Sequence, residues 1–425
     1  MTLDKPRQVL EMVNGIYYAH GLRKIAPYYH SRTSFAKGRW LGRQLLEVLS
    51  DELKALSSEQ YSLGIQRQEF QIVRNACALS VPETFTAKIE NKDIIKTISH
   101  KHEPPVRQWC SDESDTEAGK KIGGFEIVHE CSDLLVLNKP SGIPIHPTGR
   151  YYKNSMVEVL KNQGTDAYPT HRLDKITSGV LIMAKNPYMA NKIQGQIRQR
   201  TMQKTYLARV EGCFPKVQDS HALGKGCLPS ATEACADENK ATVEDSEIYT
   251  IELKKQFPAA FSVARNATTK FYPVRYYAAS NQTLVACQPI TGRTHQIRIH
   301  LARMGHPIVN DPFYNKKNTK FPRRLQFMLD VYNWNIGSIS SERLESYFKD
   351  FLRESNSFHD GEPSSIREEC KECGINLYPD PQLHDLQLYL HAWKYRDSTG
   401  DLDYETSLPI WALDHNLELQ AAMKE

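Results

Sequence analysis

No run of about 18 apolar residues occurs in this 425-residue chain, so no membrane-spanning helix is expected. Its opening, Met-Thr-Leu-Asp-Lys-Pro, has none of the apolar core of a secretory signal. Asp4 and Glu11 also sit poorly in a mitochondrial presequence, which is short of acids. The nine cysteines are odd in number and widely scattered, which excludes a regular disulfide framework and predicts reduced thiols. The expected compartment is the cytoplasm, with the nucleus as the second choice. Cys370-Lys-Glu-Cys373 has half the spacing of a zinc site, but no second ligand pair stands at a convincing spacing, so no metal is expected. A net charge of +4 is too small to identify a partner. The distribution of charge says more.

Acidic residues are missing from two long intervals. Between Asp166 and Glu211 the only acid is Asp174, and it shares that interval with Arg172, Lys175, Lys185, Lys192, Arg198, Arg200, Lys204 and Arg209. A lone carboxylate in a basic field is expected to stay ionised, since nearby cations depress its pKa. That is what a carboxylate nucleophile acting on a polyanion requires. On spacing alone, Asp174 followed by Thr177, Ser178 and Gly179 is also a turn or cap signature. From Met12 to Leu46 there is again no acid, while Lys37, Arg39 and Arg43 alternate with Tyr28, Tyr29, Phe35 and Trp40. Such interleaving can neutralise phosphates and stack on unpaired bases. Its other reading, aromatics packed inward beneath a solvated rim of cations, stays open.

Downstream, Gly292-Arg-Thr-His-Gln-Ile-Arg-Ile-His-Leu301 alternates Ile297, Ile299 and Leu301 with Gln296, Arg298 and His300. The period of two predicts a half-buried strand or a strand entering a helix. Its polar side, with Arg293 and His295, would offer donors to an anion.

At these segments the chain resembles the RluA-type family of pseudouridine synthases. His171-Arg-Leu-Asp174 followed by Thr177-Ser-Gly179 is similar to the family's catalytic motif, and Gly292-Arg-Thr-His-Gln-Ile-Arg298 to a second one. Between them, Lys204-Thr-Tyr206 through Gly212 resembles the segment that supplies the active-site tyrosine, and Leu137-Asn-Lys-Pro through His146 the one that opens the catalytic domain. Leu388 to Tyr395 and Leu408 to Ala412 resemble the closing segments. His100-Lys-His-Glu-Pro-Pro-Val106, Gly21-Leu-Arg and Lys37-Gly-Arg-Trp40 are similar to the eukaryotic branch, which acts largely on tRNA, especially on uridines of the anticodon stem-loop.

The resemblance implies an isomerase that needs neither metal nor organic cofactor. Making pseudouridine breaks the bond from N1 of uracil to the ribose, turns the base and rejoins it through C5, with no net redox change and no hydrolysis. A nucleophile, a geometry that retains the detached base and a group for the C5 proton are sufficient. By resemblance Asp174 is the nucleophile or charge-stabilising carboxylate, with attack on the ribose and on the uracil ring both open. Arg298 pairs with it, as a planar guanidinium suits a carboxylate. Tyr206 lies against the base. The target must be extruded from its stack, and Arg172 is implied in displacing it. His171 and His295, with Arg293, are candidate RNA contacts, as are Lys37, Arg39 and Arg43. The implied partner is RNA, tRNA before rRNA, mRNA or small nuclear RNA, and the chain is expected to be a monomer without membrane contact.

The implied fold is α+β, a mainly antiparallel mixed sheet with a central active-site cleft, preceded by a small divergent domain that resembles the S4 type. The expected organisation is an N-terminal extension over residues 1–37, the S4-like unit over 38–110, a polar linker over 111–122 and the catalytic domain over 123–425. Leu45, Leu46, Leu49, Leu53 and Leu56 predict a helix in the S4-like unit. Two insertions are expected in the catalytic domain, near 216–247 and 316–369, the second with an amphipathic helix marked by Leu344, Phe348 and Leu352. Phe125–Val128 and Leu134–Leu137 read as paired strands around Ser132-Asp133. Deamination is disfavoured, because His-x-Glu followed by Pro-Cys-x-x-Cys is absent. A non-catalytic RNA-binding or RNA-folding protein on the same scaffold remains the alternative from another class.

Overall fold

In the computed structural model the described residues are 15–53, 57–109, 120–216, 235, 239, 241–253, 255–331, 339–360 and 368–413. Most of the polar linker and of the first expected insertion lie outside them, as does Leu56, while Lys121 and Ile122, expected in the linker, form a strand.

The N-terminal part holds two small sheets. Ile16–Ala19 and Leu22–Ile25 form a hairpin whose turn residues, His20 and Gly21, both have positive φ, the backbone a two-residue turn between right-twisted strands demands. Val106–Arg107 adds the third strand. The second sheet has the order Tyr28–Phe35, Ile94–Lys101, Phe70–Arg74, Cys77–Ala78. Its first strand pairs along its whole length, from Tyr28 against Lys101 to Phe35 against Ile94. Residues expected in the extension therefore belong to the sheet of the unit that follows. Helices Leu45–Val48, Ser58–Gln66 and Val81–Thr86 cover that sheet, and Leu45, Leu49, Tyr61, Ile65, Ile72 and Ile95 fill the core between them. Ser57 with Gln60 and Ser80 with Glu83 close two capping boxes, each satisfying two helix N-terminal amides.

The rest of the chain is built on an eleven-stranded sheet. The path runs Thr242–Ile251, Phe261–Tyr277, Gln282–Pro289, Met202–Glu211, Leu390–Asp397, Ser178–Ala184, Leu134–Lys139, Phe125–Glu130, Lys121–Ile122. The strand pair expected around Ser132-Asp133 is present. All neighbours on this path are antiparallel except Ser178–Ala184 with Leu390–Asp397. Leu134 to Leu137 and Val180 to Ala184 are buried on both faces, which accounts for their unbroken apolar runs.

The first expected insertion ends earlier than composition suggested. Thr242 to Glu247, assigned to the first by composition, lie in a strand paired with Phe261–Tyr277. The second contains helices Pro322–Asp330 and Ser341–Asp360, the latter carrying the expected amphipathic positions Leu344, Phe348 and Leu352. Phe327, Met328, Val331 and Phe351 are buried against Ile248, Ile251, Ala267 and Ile299. Ile299 belongs to helix Gln296–Arg303, so this insertion supports the element that carries Arg298. No described helix is long and apolar enough to cross a membrane.

Candidate active site

Asp174 projects from the loop that leads into strand Ser178–Ala184, and the loop is held through its backbone. Thr177 N–H donates to the Asp174 carbonyl at 3.1 Å. Lys139, fully buried at the end of its strand, donates from Nζ to the carbonyls of Pro140, Lys175 and Thr177 at 2.9, 3.0 and 2.8 Å. Burial draws the Lys139 pKa down to about 7, but three acceptors around one nitrogen use all three ammonium protons, so the bonding favours the cation. Gly179 fixes the other side. It has φ +114°, and a Cβ there would lie 2.1 Å from the Ala392 carbonyl oxygen, so only glycine allows the parallel pairing of these strands.

Arg298 lies across from this loop and is buried, with 2% of its side chain exposed. Its Nη1 donates to Asp174 Oδ2 at 3.2 Å, while Nε and Nη2 form a fork on Asp311 at 2.7 and 2.8 Å. Burial opposes its charge, yet the Asp311 carboxylate leaves the guanidinium above its ordinary pKa. Burial likewise pushes the Asp311 carboxyl up, and Arg298 more than offsets this, so it lies below the usual value. The amides of Phe313 and Tyr314 also donate to Asp311 Oδ1, completing a buried pair with its polar atoms satisfied.

Of the two readings of residues 292–301, the half-buried strand is excluded: Gln296–Arg303 is an α-helix, entered through His295 in the left-handed region. Every residue from Gln296 to Ala302 is buried, so alternation of polar and apolar side chains does not mark a wet and a dry face. The Gln296 amide explains the tight entry. It accepts from Thr291 Oγ1 and the Arg293 N–H and donates to Thr268 O and Thr269 Oγ1.

Asp174, Arg298 and Tyr206 line one cleft of about 590 Å³, together with His171, Arg172 and Tyr395. The Tyr206 and Tyr395 hydroxyls are 2.6 Å apart. Burial, aided by the Asp174 charge, pushes the Tyr206 phenol up to about 12, so it is protonated at neutral pH. A carboxylate beside a fixed cation, sharing a cleft of this size with the half-buried Tyr206 ring and the buried Tyr395, can hold a planar base and react with it.

A family model for RNA pseudouridylate synthase matches residues 133–303. The chain is 46% identical over 399 residues to tRNA pseudouridine(31) synthase of Saccharomyces cerevisiae, across 93% of this chain and 97% of that protein. It is 31% identical over 409 residues to the mitochondrial tRNA pseudouridine(32) synthase of the same yeast, across 92% and 77%. To RNA pseudouridine synthase 7 of Arabidopsis thaliana it is 29% identical over 403 residues, across 93% and 88%. The chain belongs to the RNA pseudouridylate synthase family.

In this synthase the expected RNA contacts divide. Arg172 is exposed at the cleft with no salt-bridge partner among the described residues, and Arg293 is exposed on its rim. The two histidines are not cationic contacts. His171 accepts the Ile182 N–H on Nε2 at 3.1 Å and packs on Tyr395, and burial draws its pKa down to about 3. His295 places Nδ1 2.9 Å from the Tyr314 hydroxyl and Nε2 3.4 Å from Asp174 Oδ2; burial, then Arg298, draws it to about 4. Both are neutral supports at physiological pH.

The basic N-terminal stretch also differs from expectation. Arg39 pairs with Glu52 at 2.7 Å, and Arg43 with Glu47 at 2.8 Å and with Asp51. Lys37 lies over the ring of Trp40, which is itself buried in the core. The inward-packing reading therefore holds for this part, because the next turn supplies the acids that the stretch lacks. Sequence reasoning assigned no role to Lys139, Asp311 or Tyr314. Lys139 ending an apolar strand was a usable signal; the other two carried none. Sequence spacing also did not place His100 and His102 beside Cys370 and Cys373; one ligand atom of each of the four residues lies within 4.8 Å of the others.

Proposed function

We propose that this synthase isomerises a uridine in the anticodon stem-loop of tRNA, with position 31 the first to test. The observation that carries the reaction is the single cleft joining Asp174, its Arg298 cation and Tyr206. The tRNA assignment rests on the likeness to the tRNA pseudouridine(31) synthase over nearly the whole of both chains.

In this reading Arg172 displaces the target nucleotide and the uracil enters the cleft beside Tyr206. Asp174 serves as the nucleophile, attacking the ribose C1′ or the ring. The N1–C1′ bond breaks, the base turns, C5 bonds to C1′, and the bond to Asp174 breaks to restore the carboxylate. The C5 proton leaves and N1 gains one, so the product is an isomer. Arg298 keeps the carboxylate oriented through these steps, and Lys139 with Gly179 keeps its loop in place. The unit that resembles an S4 domain offers a second RNA surface along its edge strand Tyr28–Phe35, where Tyr29, Arg32 and Phe35 are exposed.

The test is tritium release from tRNA labelled at uridine C5, followed by mapping of the modified position. Release that maps to the anticodon stem-loop and requires Asp174 supports the proposal. Release only from rRNA, mRNA or small nuclear RNA would reject tRNA as the substrate while retaining the chemistry. No release from any of these would favour the non-catalytic reading.

A further inference from the structure

We propose that this synthase carries a structural zinc ion bound by His100, His102, Cys370 and Cys373. His100 is in strand Ile94–Lys101 and His102 follows one residue beyond its end, so the two imidazoles project from the same side of extended chain. Facing them is a short hairpin. Cys370 N–H donates to Ile375 O, Leu377 N–H to Glu368 O, and Gly374, at φ +69°, turns the chain directly after the second thiol.

The geometry is that of a closed tetrahedral set. His102 Nε2 is 3.1 Å from Cys373 Sγ, and His100 Nδ1 is 3.6 Å from Cys370 Sγ, though each pair is about 270 residues apart in sequence. Zinc–sulfur and zinc–nitrogen bonds of about 2.3 and 2.0 Å put ligand atoms of a tetrahedron roughly 3.3–3.8 Å apart. The four atoms, all within 4.8 Å of one another, need only small movements to meet one ion.

Two neighbouring contacts suit a metal-ligand set. The amides of Glu372 and Cys373 hydrogen-bond to the Cys370 sulfur, and the Ile375 amide to that of Cys373. The other nitrogen of His100, Nε2, faces the Glu372 carboxylate at 3.6 Å, the usual partner of a metal-bound imidazole. Two thiolates and two imidazoles select zinc over hard cations. Four protein ligands leave no open position, and none of them lines the Asp174 cleft, so the ion would have a structural role. Binding releases the thiol protons to solvent.

The site's neighbours show what it would hold together. One residue after His102, the Glu103 carboxylate accepts the amides of Tyr152, Lys153 and Asn154 in the catalytic domain. Beyond Cys373, Tyr378 lies under Arg150, Asp380 pairs with Lys24, and the chain continues into strand Leu390–Asp397 beside Gly179. Zinc would therefore clamp the segment that follows the second insertion to the N-terminal unit at its junction with the catalytic sheet.

The test is metal analysis of the full-length protein, purified under reducing conditions and dialysed against metal-free buffer. About one zinc per chain is expected, falling at least tenfold in Cys373→Ser and remaining in Cys373→His, which restores a ligand. Cobalt(II) exchanged into the wild type should give thiolate-to-metal charge transfer and the intense d–d bands of a tetrahedral site. Cys373 is exposed, so a native circular dichroism spectrum is expected for both variants. Wild-type protein that holds no zinc and develops no cobalt bands would overturn the proposal, as would zinc content unchanged in Cys373→Ser. None of these readouts depends on isomerase activity.

Discussion

Arg298 reaches Asp174 with a single nitrogen, Nη1, 3.2 Å from Oδ2. Its remaining fork is committed to Asp311, so the residue that steadies the candidate nucleophile is itself oriented by a second carboxylate. A lysine has one nitrogen and cannot reproduce this bridge. Arg298→Lys is expected to lower kcat at least tenfold with RNA affinity within a few-fold. Asp311→Ala, which leaves a buried cation without its partner, should cost about 3–5 kcal/mol of stability in denaturant unfolding. An Asp311→Ala protein as stable as the wild type would refute this account of the pair.

Asp174→Ala should abolish tritium release while tRNA affinity, measured by filter binding, changes only a few-fold, because phosphate contacts dominate binding. A parallel loss of affinity and turnover would mean that Asp174 serves binding rather than chemistry.

Acid should destabilise the fold through its neutral histidines. His171 and His295 have folded-state pKa values drawn down to about 3 and 4, below the ordinary value near 6.5. The unfolded chain therefore takes up protons first. The stability these groups contribute is fully present above about pH 6.5 and is lost as pH falls toward their folded-state values. His171→Gln, whose amide oxygen can still accept the Ile182 N–H, should flatten this slope by up to about 1.4 kcal/mol per pH unit. Urea midpoints collected between pH 7 and 4 supply the check, and an unaltered slope would show that His171 is not held neutral.

Arg39→Ala with Arg43→Ala should leave the salt dependence of tRNA binding nearly unchanged, since both cations already face acids of the adjacent turn. Arg32→Ala, on the exposed edge strand, should instead reduce the slope of log K against log salt by about one. Comparison of the two slopes decides which part of the N-terminal unit meets phosphate.

The chemistry was legible where it depends on short contiguous segments. His171 to Gly179 and Gly292 to Arg298 each carry their residues within one loop, and the cleft brings them together as their resemblance to a known family implied. Secondary structure was less legible at the second loop. The alternation of Ile297, Ile299 and Leu301 left a half-buried strand and a strand entering a helix both open, because a helix buried on all sides places no demand on which positions are polar. In the second insertion the spacing of Leu344, Phe348 and Leu352 marked the amphipathic helix, but not the surface that Phe327, Val331 and Phe351 would be packed against.

By itself the sequence determined the family and the candidate nucleophile, because these rest on short contiguous motifs of residue types with few substitutes. Only the tertiary structure decided which charges are spent on one another. Asp311 is brought to Arg298, and Glu52 to Arg39, by the way the chain turns. His100 and His102 meet Cys370 and Cys373 across about 270 residues, a separation at which sequence spacing carries no information about contact. Electrostatic and metal-ligand interactions act over a few ångströms of space, so their partners are set by packing.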